Sequence, residues 1–82
     1  MKYLIVETDE QINYINVENI ESFDYDKNQD TVFCTCNSGA QHALIKGVIL
    51  TIDKYLSKLV QKIKSESIMN INIADFNKQF MK

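Results

Sequence analysis

Two hydrophobic periods divide the chain. Through residue 45 the apolar residues tend to alternate with polar ones; from Val48 they recur every third or fourth position. The first pattern predicts strands and the second a helix. Lys2–Glu7 is rich in Tyr, Ile and Val, and Thr8-Asp9-Glu10 breaks it. Gln11–Asn16 alternates weakly, with Ile12 and Tyr14 sharing a side, and reads as the return arm of a hairpin. Asn19–Tyr25 alternates Glu21, Phe23 and Tyr25 against Ile20, Ser22 and Asp24. Asp26–Asp30 is a polar turn, Thr31–Cys36 is dense in β-favouring residues, and Ala40–Ile45 returns. Asn37-Ser38-Gly39 supplies the turn between them, with Gly39 free to take a positive φ.

Val48, Ile49, Ile52, Tyr55, Leu56, Leu59, Val60 and Ile63 form one stripe at helical spacing. They predict a helix of about 17–20 residues starting near Gly47, its late Lys62 and Lys64 suiting the negative end of the helix dipole. The tail supports two readings. Ile68–Ile73 alternates like a strand, whereas Asn72 could cap a short helix with Ile73, Phe76, Phe80 and Met81 on one side. The expected fold class is α+β. An antiparallel sheet of four to five strands carries one long amphipathic helix on one face, with a short C-terminal appendage. Residues 1–66 form the domain and 67–82 the tail, docked on the core or on a partner.

Register at the Asn37–Gly39 turn matters. A two-residue loop places Cys36 opposite Gln41 and Cys34 opposite Ala43, with Phe33, Thr35, His42 and Leu44 on the far face. A three-residue loop places Cys34 opposite His42. One residue of slip exchanges the whole side-chain set of the partner strand. Either way both faces are expected to be substantially apolar, and one helix covers only one. A protein partner or a second copy is expected to cover the other, through Phe33, Leu44, Ile73, Phe76 and Phe80.

Length and composition narrow the classes. At 82 residues with 45% hydrophobic and 24% charged residues, the chain fits one small globular domain. No apolar run approaches the roughly 18 residues of a membrane span, and no leader peptide is evident, so a cytoplasmic location is expected. Ile, Asn and Lys abound and every basic residue is Lys, as in the products of AT-rich bacterial or mobile-element genomes. Residues 1–30 carry a net charge of −6 and residues 46–64 a net charge of +4.

The chemistry-bearing clusters are few. Cys34 and Cys36 lie too far apart on a strand for a bridge, at roughly 6.5–7 Å against the roughly 4 Å a disulfide needs. With His42 they could begin a metal site, but Cys-x-Cys is not zinc-finger spacing and a fourth soft ligand is missing. His42 has no identified nucleophile or orienting acid beside it. The acids of residues 7–30 lack the spacing of a calcium loop. No phosphate loop or hydrolase motif occurs, so neither an enzyme, a cofactor nor a small-molecule substrate is expected. Lys54, Lys58 and Lys62 form a stripe that could touch nucleic acid, although the acidic total charge and the lack of Arg disfavour it.

Asn19-Ile20-Glu21-Ser22-Phe23, then Asp30-Thr31-Val32-Phe33, the Asn37-Ser38-Gly39 turn and a single helix resemble the layout of small FlbD/SwrD-type flagellar-operon proteins. The likeness covers roughly residues 1–64. The first turn here lacks a Gly, the helix is Lys-rich, and Phe76–Lys82 has no counterpart. The resemblance implies a non-enzymatic accessory role. The LytTR type of DNA-binding module is a looser likeness. The expected function is a small non-catalytic accessory or regulatory protein that self-associates or binds a protein. A weak nucleic-acid-binding regulator and a mobile-element inhibitor of a host protein are the alternatives.

Overall fold

The computed structural model describes residues 2–47, 52–65 and 69–80. The chain is α+β, and its strands form two sheets of three. The first contains β1 (Tyr3–Glu7), β2 (Ile12–Asn16) and β6 (Asn70–Asn72) in the order β2-β1-β6. β2 runs antiparallel to β1 and β6 runs parallel to it. The second is an antiparallel meander of β3 (Ile20–Asp26), β4 (Thr31–Cys36) and β5 (Gln41–Lys46). The expected single sheet of four to five antiparallel strands is therefore corrected. A short 3₁₀ turn, Val17–Asn19, separates β2 from β3 and ends the first sheet there. The tail supplies the strand that completes it.

Among the described residues the long helix of about 17–20 residues is not found. α1 spans Ile52–Lys64, 13 residues. Val48 and Ile49, placed on its stripe, lie outside the described residues, as do Ile68 and Met81. Gly47 is not helical; its φ of 71° is in the left-handed region, and its N–H donates to the Asp30 carbonyl at 2.9 Å. Within α1, Tyr55 and Leu59 are buried and Ile52, Leu56 and Ile63 pack against the same core. The Lys2 ammonium closes the far end of the helix, donating to the carbonyls of Ile63 and Ser65. A cation is favourable where helix carbonyls lack partners.

Both readings of the tail apply, one after the other. Asn70–Asn72 is a strand, and Asn72 then caps α2 (Ile73–Asn77), its side chain accepting from the Asp75 N–H at 3.1 Å. A 3₁₀ turn, Lys78–Phe80, follows. Ile71, Ile73, Phe76 and Phe80 are buried in one cluster with Leu4, Val6, Ile15, Val32, Cys34, Leu44, Ile45, Tyr55 and Leu59. Tyr55, Phe76 and Phe80 form a ring trio with centroids 4.9–5.4 Å apart, a separation at which tilted rings attract.

Two bulges set which residues face this core. At Asn37–Gly39 the three-residue loop is found, with Cys34 opposite His42 and Gly39 at φ 90°. The register then shifts between Val32 and Phe33, where Phe33 meets Ala43 and Val32 meets Ile45. Leu44 is the extra residue, so Leu44 and Ile45, adjacent in sequence, are both buried. A second shift between Ile20 and Ser22 lets Ile20 join Phe23 and Tyr25 against the core. The far face of this sheet then carries Ser22, Asp24, Phe33, Thr35, Gln41 and Ala43. Asp24 accepts from Ser22 and Thr35 hydroxyls at 3.0 and 2.9 Å, and Gln41 donates to Thr35 at 3.3 Å. The expectation of a second apolar face on this sheet is corrected: the three-residue loop sets Leu44 on the Cys34 face, and the bulge turns Ile45 inward beside it, leaving the outside largely polar.

The bulge leaves the Leu44 carbonyl to be satisfied from elsewhere. Asn77 Nδ2 donates to it at 2.7 Å, and the Tyr55 hydroxyl donates to Asn77 Oδ1 at 2.7 Å. This buried relay joins β5, α1 and α2. Among the described residues no buried side-chain polar atom lacks a partner, which is what a stable interior requires.

Candidate functional site

The residues expected to contact a partner are distributed differently by the fold. Leu44, Ile73, Phe76 and Phe80 are core residues, each at most 5% exposed. The chain's own packing takes up the surface expected there. Phe33 is half-buried on the polar outer face. Lys54, Lys58 and Lys62 are exposed along α1, and the Lys62 ammonium lies 5.5 Å from the centre of the Phe76 ring, within cation–π range.

Cys34 and Cys36 are buried free thiols on the inner face of β4. Burial, and then the neighbouring Cys36, push the Cys34 thiol up to about 11. A thiol held protonated is a poor nucleophile and a poor metal ligand. His42 is half-buried opposite Cys34. The three side chains do not gather: among the described residues no group of three or more His, Cys, Asp or Glu is placed to hold a metal ion. Burial also raises the Tyr55 phenol, which stays neutral and donates to Asn77. The Tyr25 phenol is raised by its hydrogen bond to the Asp30 carboxylate, at 2.5 Å.

Among the described residues the exposed large hydrophobics lie on or beside the N-terminal sheet. Pairing places Ile5 opposite Tyr14 and Tyr3 opposite Asn16, so Tyr3, Ile5, Ile12 and Tyr14 share its outer face. Ile12 is 52% and Tyr14 63% exposed, and Met69, just before β6, is 65% exposed. These are the exposed large hydrophobics among the described residues. Tyr3 and Tyr14 meet edge to face, with centroids 6.4 Å apart. The inner face of the same sheet, through Leu4, Ile15 and Ile71, belongs to the core.

Beside β2 runs a cleft of about 440 Å³. Asn13, Asn16, Asn19, Asn37, Ser38 and His42 contribute its polar lining, and Tyr14 and Cys36 also line it. Among the described residues no carboxylate or ammonium contributes to the lining. Amide side chains both donate and accept, so this lining suits neutral groups that do the same, such as peptide units. Tyr14 and the asparagines escaped the sequence reading. Ile12 and Tyr14 share a side in the alternation of Gln11–Asn16, but nothing local shows that β2 is an edge strand or that its outer face stays open.

Among the described residues no helix is long and apolar enough to cross a membrane. A scan against protein-family models, a search of curated proteins and a search of solved structures each find no match.

Proposed function

We propose that this is a non-catalytic accessory or regulatory protein that acts through contact with another protein, and that the contact is made by the outer face and open edge of the N-terminal sheet. One observation carries this reading. The core closes over the tail aromatics and over Leu44, yet Ile12 and Tyr14 stay exposed beside Tyr3 and Ile5. Exposed apolar clusters of this kind mark interaction surfaces, and Tyr is enriched in them. The sequence resemblance to FlbD/SwrD-type proteins is in keeping with the same non-catalytic character. Free thiols at Cys34 and Cys36 fit a reducing cytoplasm.

Site-specific photocrosslinking in the producing cells tests it. A crosslinking side chain at position 14 is expected to capture a discrete protein, and one at position 58 is not. Capture from position 58 alone would contradict the reading and favour the lysine stripe.

A further inference from the structure

We propose that the open edge of β2 takes an extended peptide segment as an added strand, one that alternates apolar with small or polar residues and carries basic residues at its ends. This rests on the protein-contact reading above and names what is contacted.

The ladder register decides which backbone groups face outward. The Thr8 N–H donates to the Gln11 carbonyl at 2.8 Å, and the Val17 N–H to the Lys2 carbonyl at 3.0 Å. These bonds fix hydrogen-bonded pairs at both ends of the β1–β2 hairpin. Such pairs alternate along an antiparallel ladder. Asn13 and Ile15 therefore bond to β1, while Ile12 and Tyr14 turn their N–H and C=O groups to the open edge. β2 has no strand on that side. It also lacks the usual edge protection, since Ile12–Asn16 holds neither a charge nor a proline.

The cleft follows this edge. Four consecutive residues, Asn13 to Asn16, line one side of it, and the β4–β5 turn lines the other. Consecutive residues of a strand point to alternate faces, so a groove that touches all four runs along the backbone. An added strand would set one parity of side chains beside Ile12 and Tyr14. The other parity would meet the amides of Asn19 and Asn37. Main-chain bonds then supply affinity and the alternate side chains specificity.

Charge chooses between a foreign segment and a second copy. Asp9 and Glu10 stand at one end of β2 and Glu18 at the other. Antiparallel self-pairing centred on Tyr14 would set Glu10 against the other copy's Glu18 at both ends. Parallel self-pairing would set each acid beside its own copy. Like charges across a strand pair are destabilising. Basic ends on a foreign segment meet the same acids favourably.

A display library of random dodecapeptides, selected on the immobilised full chain, tests this. The selected peptides are expected to alternate apolar residues and to end in Lys or Arg. On binding, NMR should show slowed exchange of the Ile12 and Tyr14 amides. Methylating the peptide's alternate backbone nitrogens should weaken binding about tenfold or more. Tyr14→Lys, at an exposed position, should do likewise while the NMR spectrum shows the fold retained. Ile12→Lys serves as a second variant at the other outward-facing position. Peptides without alternation, indifference to backbone methylation, or changes confined to α1 would overturn the proposal. Failure to select any peptide would overturn it too. Crosslinking from position 14 that persisted in that case would leave the protein-contact reading standing, and its loss would remove both.

Discussion

The Tyr55 hydroxyl donates to Asn77 Oδ1 at 2.7 Å, across 22 residues of sequence and inside the core. Asn77 in turn satisfies the Leu44 carbonyl. The tail is thereby fastened by a polar relay as well as by apolar packing. Removing the middle member strands two buried groups. Asn77→Ala is expected to cost about 3 kcal/mol, and Tyr55→Phe about 1–2 kcal/mol. The double variant should cost clearly less than the sum, because each change removes the same bond. Urea denaturation of the three variants measures this.

The β3–β4 turn holds Asp30 at φ 49°, a left-handed conformation that β-branched residues resist. Asp30→Val is expected to lose more than about 1 kcal/mol, whereas Asp30→Gly should stay within about 1 kcal/mol of the parent. The carboxylate also accepts from the Tyr25 hydroxyl and so favours the neutral phenol. In Asp30→Asn the Tyr25 phenol should ionise at lower pH, as followed by the NMR shifts of its ring.

Alkali should destabilise the fold through Cys34. Its folded value of about 11 lies above the ordinary 9.0, because burial favours the neutral thiol. For a group raised on folding, the stabilisation is complete below the unfolded value and is lost as pH rises toward the folded one. Thermal stability should therefore fall between about pH 9 and pH 11. The buried Tyr55 phenol adds to the fall with the same sign. Melting curves of Cys34→Ala should show a shallower decline over that window.

The lysine stripe offers a separable test. A nucleic-acid binder should hold a short DNA duplex at low salt, lose it steeply as salt rises, and lose it on changing Lys54, Lys58 and Lys62 to Glu. The contact placed on the N-terminal sheet predicts instead that this triple change leaves crosslinking from position 14 unaltered. Filter binding and crosslink yield read the two outcomes side by side.

The strands of the first 46 residues were legible because their apolar alternation is local. So was the cap at Asn72, where a short polar side chain precedes an apolar helical pattern. The third strand of the first sheet was not, since it depends on β6 finding β1 from 67 positions away. The inward turn of Ile45 was also hidden. It follows from a bulge, and a bulge reverses the parity from which the face was read. The expected partner surface fell on Leu44, Phe76 and Phe80 rather than on Ile12 and Tyr14 because the loop register and the docking of the tail are both set by distant parts of the chain. The three-residue loop at Gly39 was one of two alternatives in the sequence, and only pairing with β3 and the core distinguishes them.

The tail belongs to the core, and its docking there leaves Ile12 and Tyr14 of the N-terminal sheet as the exposed apolar surface. A chain ending at residue 66 tests this most directly, by far-UV circular dichroism and thermal melting. It would lack β6, Ile71, Ile73, Phe76, Asn77 and Phe80, and would expose Leu4 and Tyr55. No cooperative melt is expected for this chain, against a single cooperative transition for the full one. A truncated chain that melted cooperatively with the full chain's strand signal would contradict it. The tail aromatics would then be an appendage and once more a candidate contact surface.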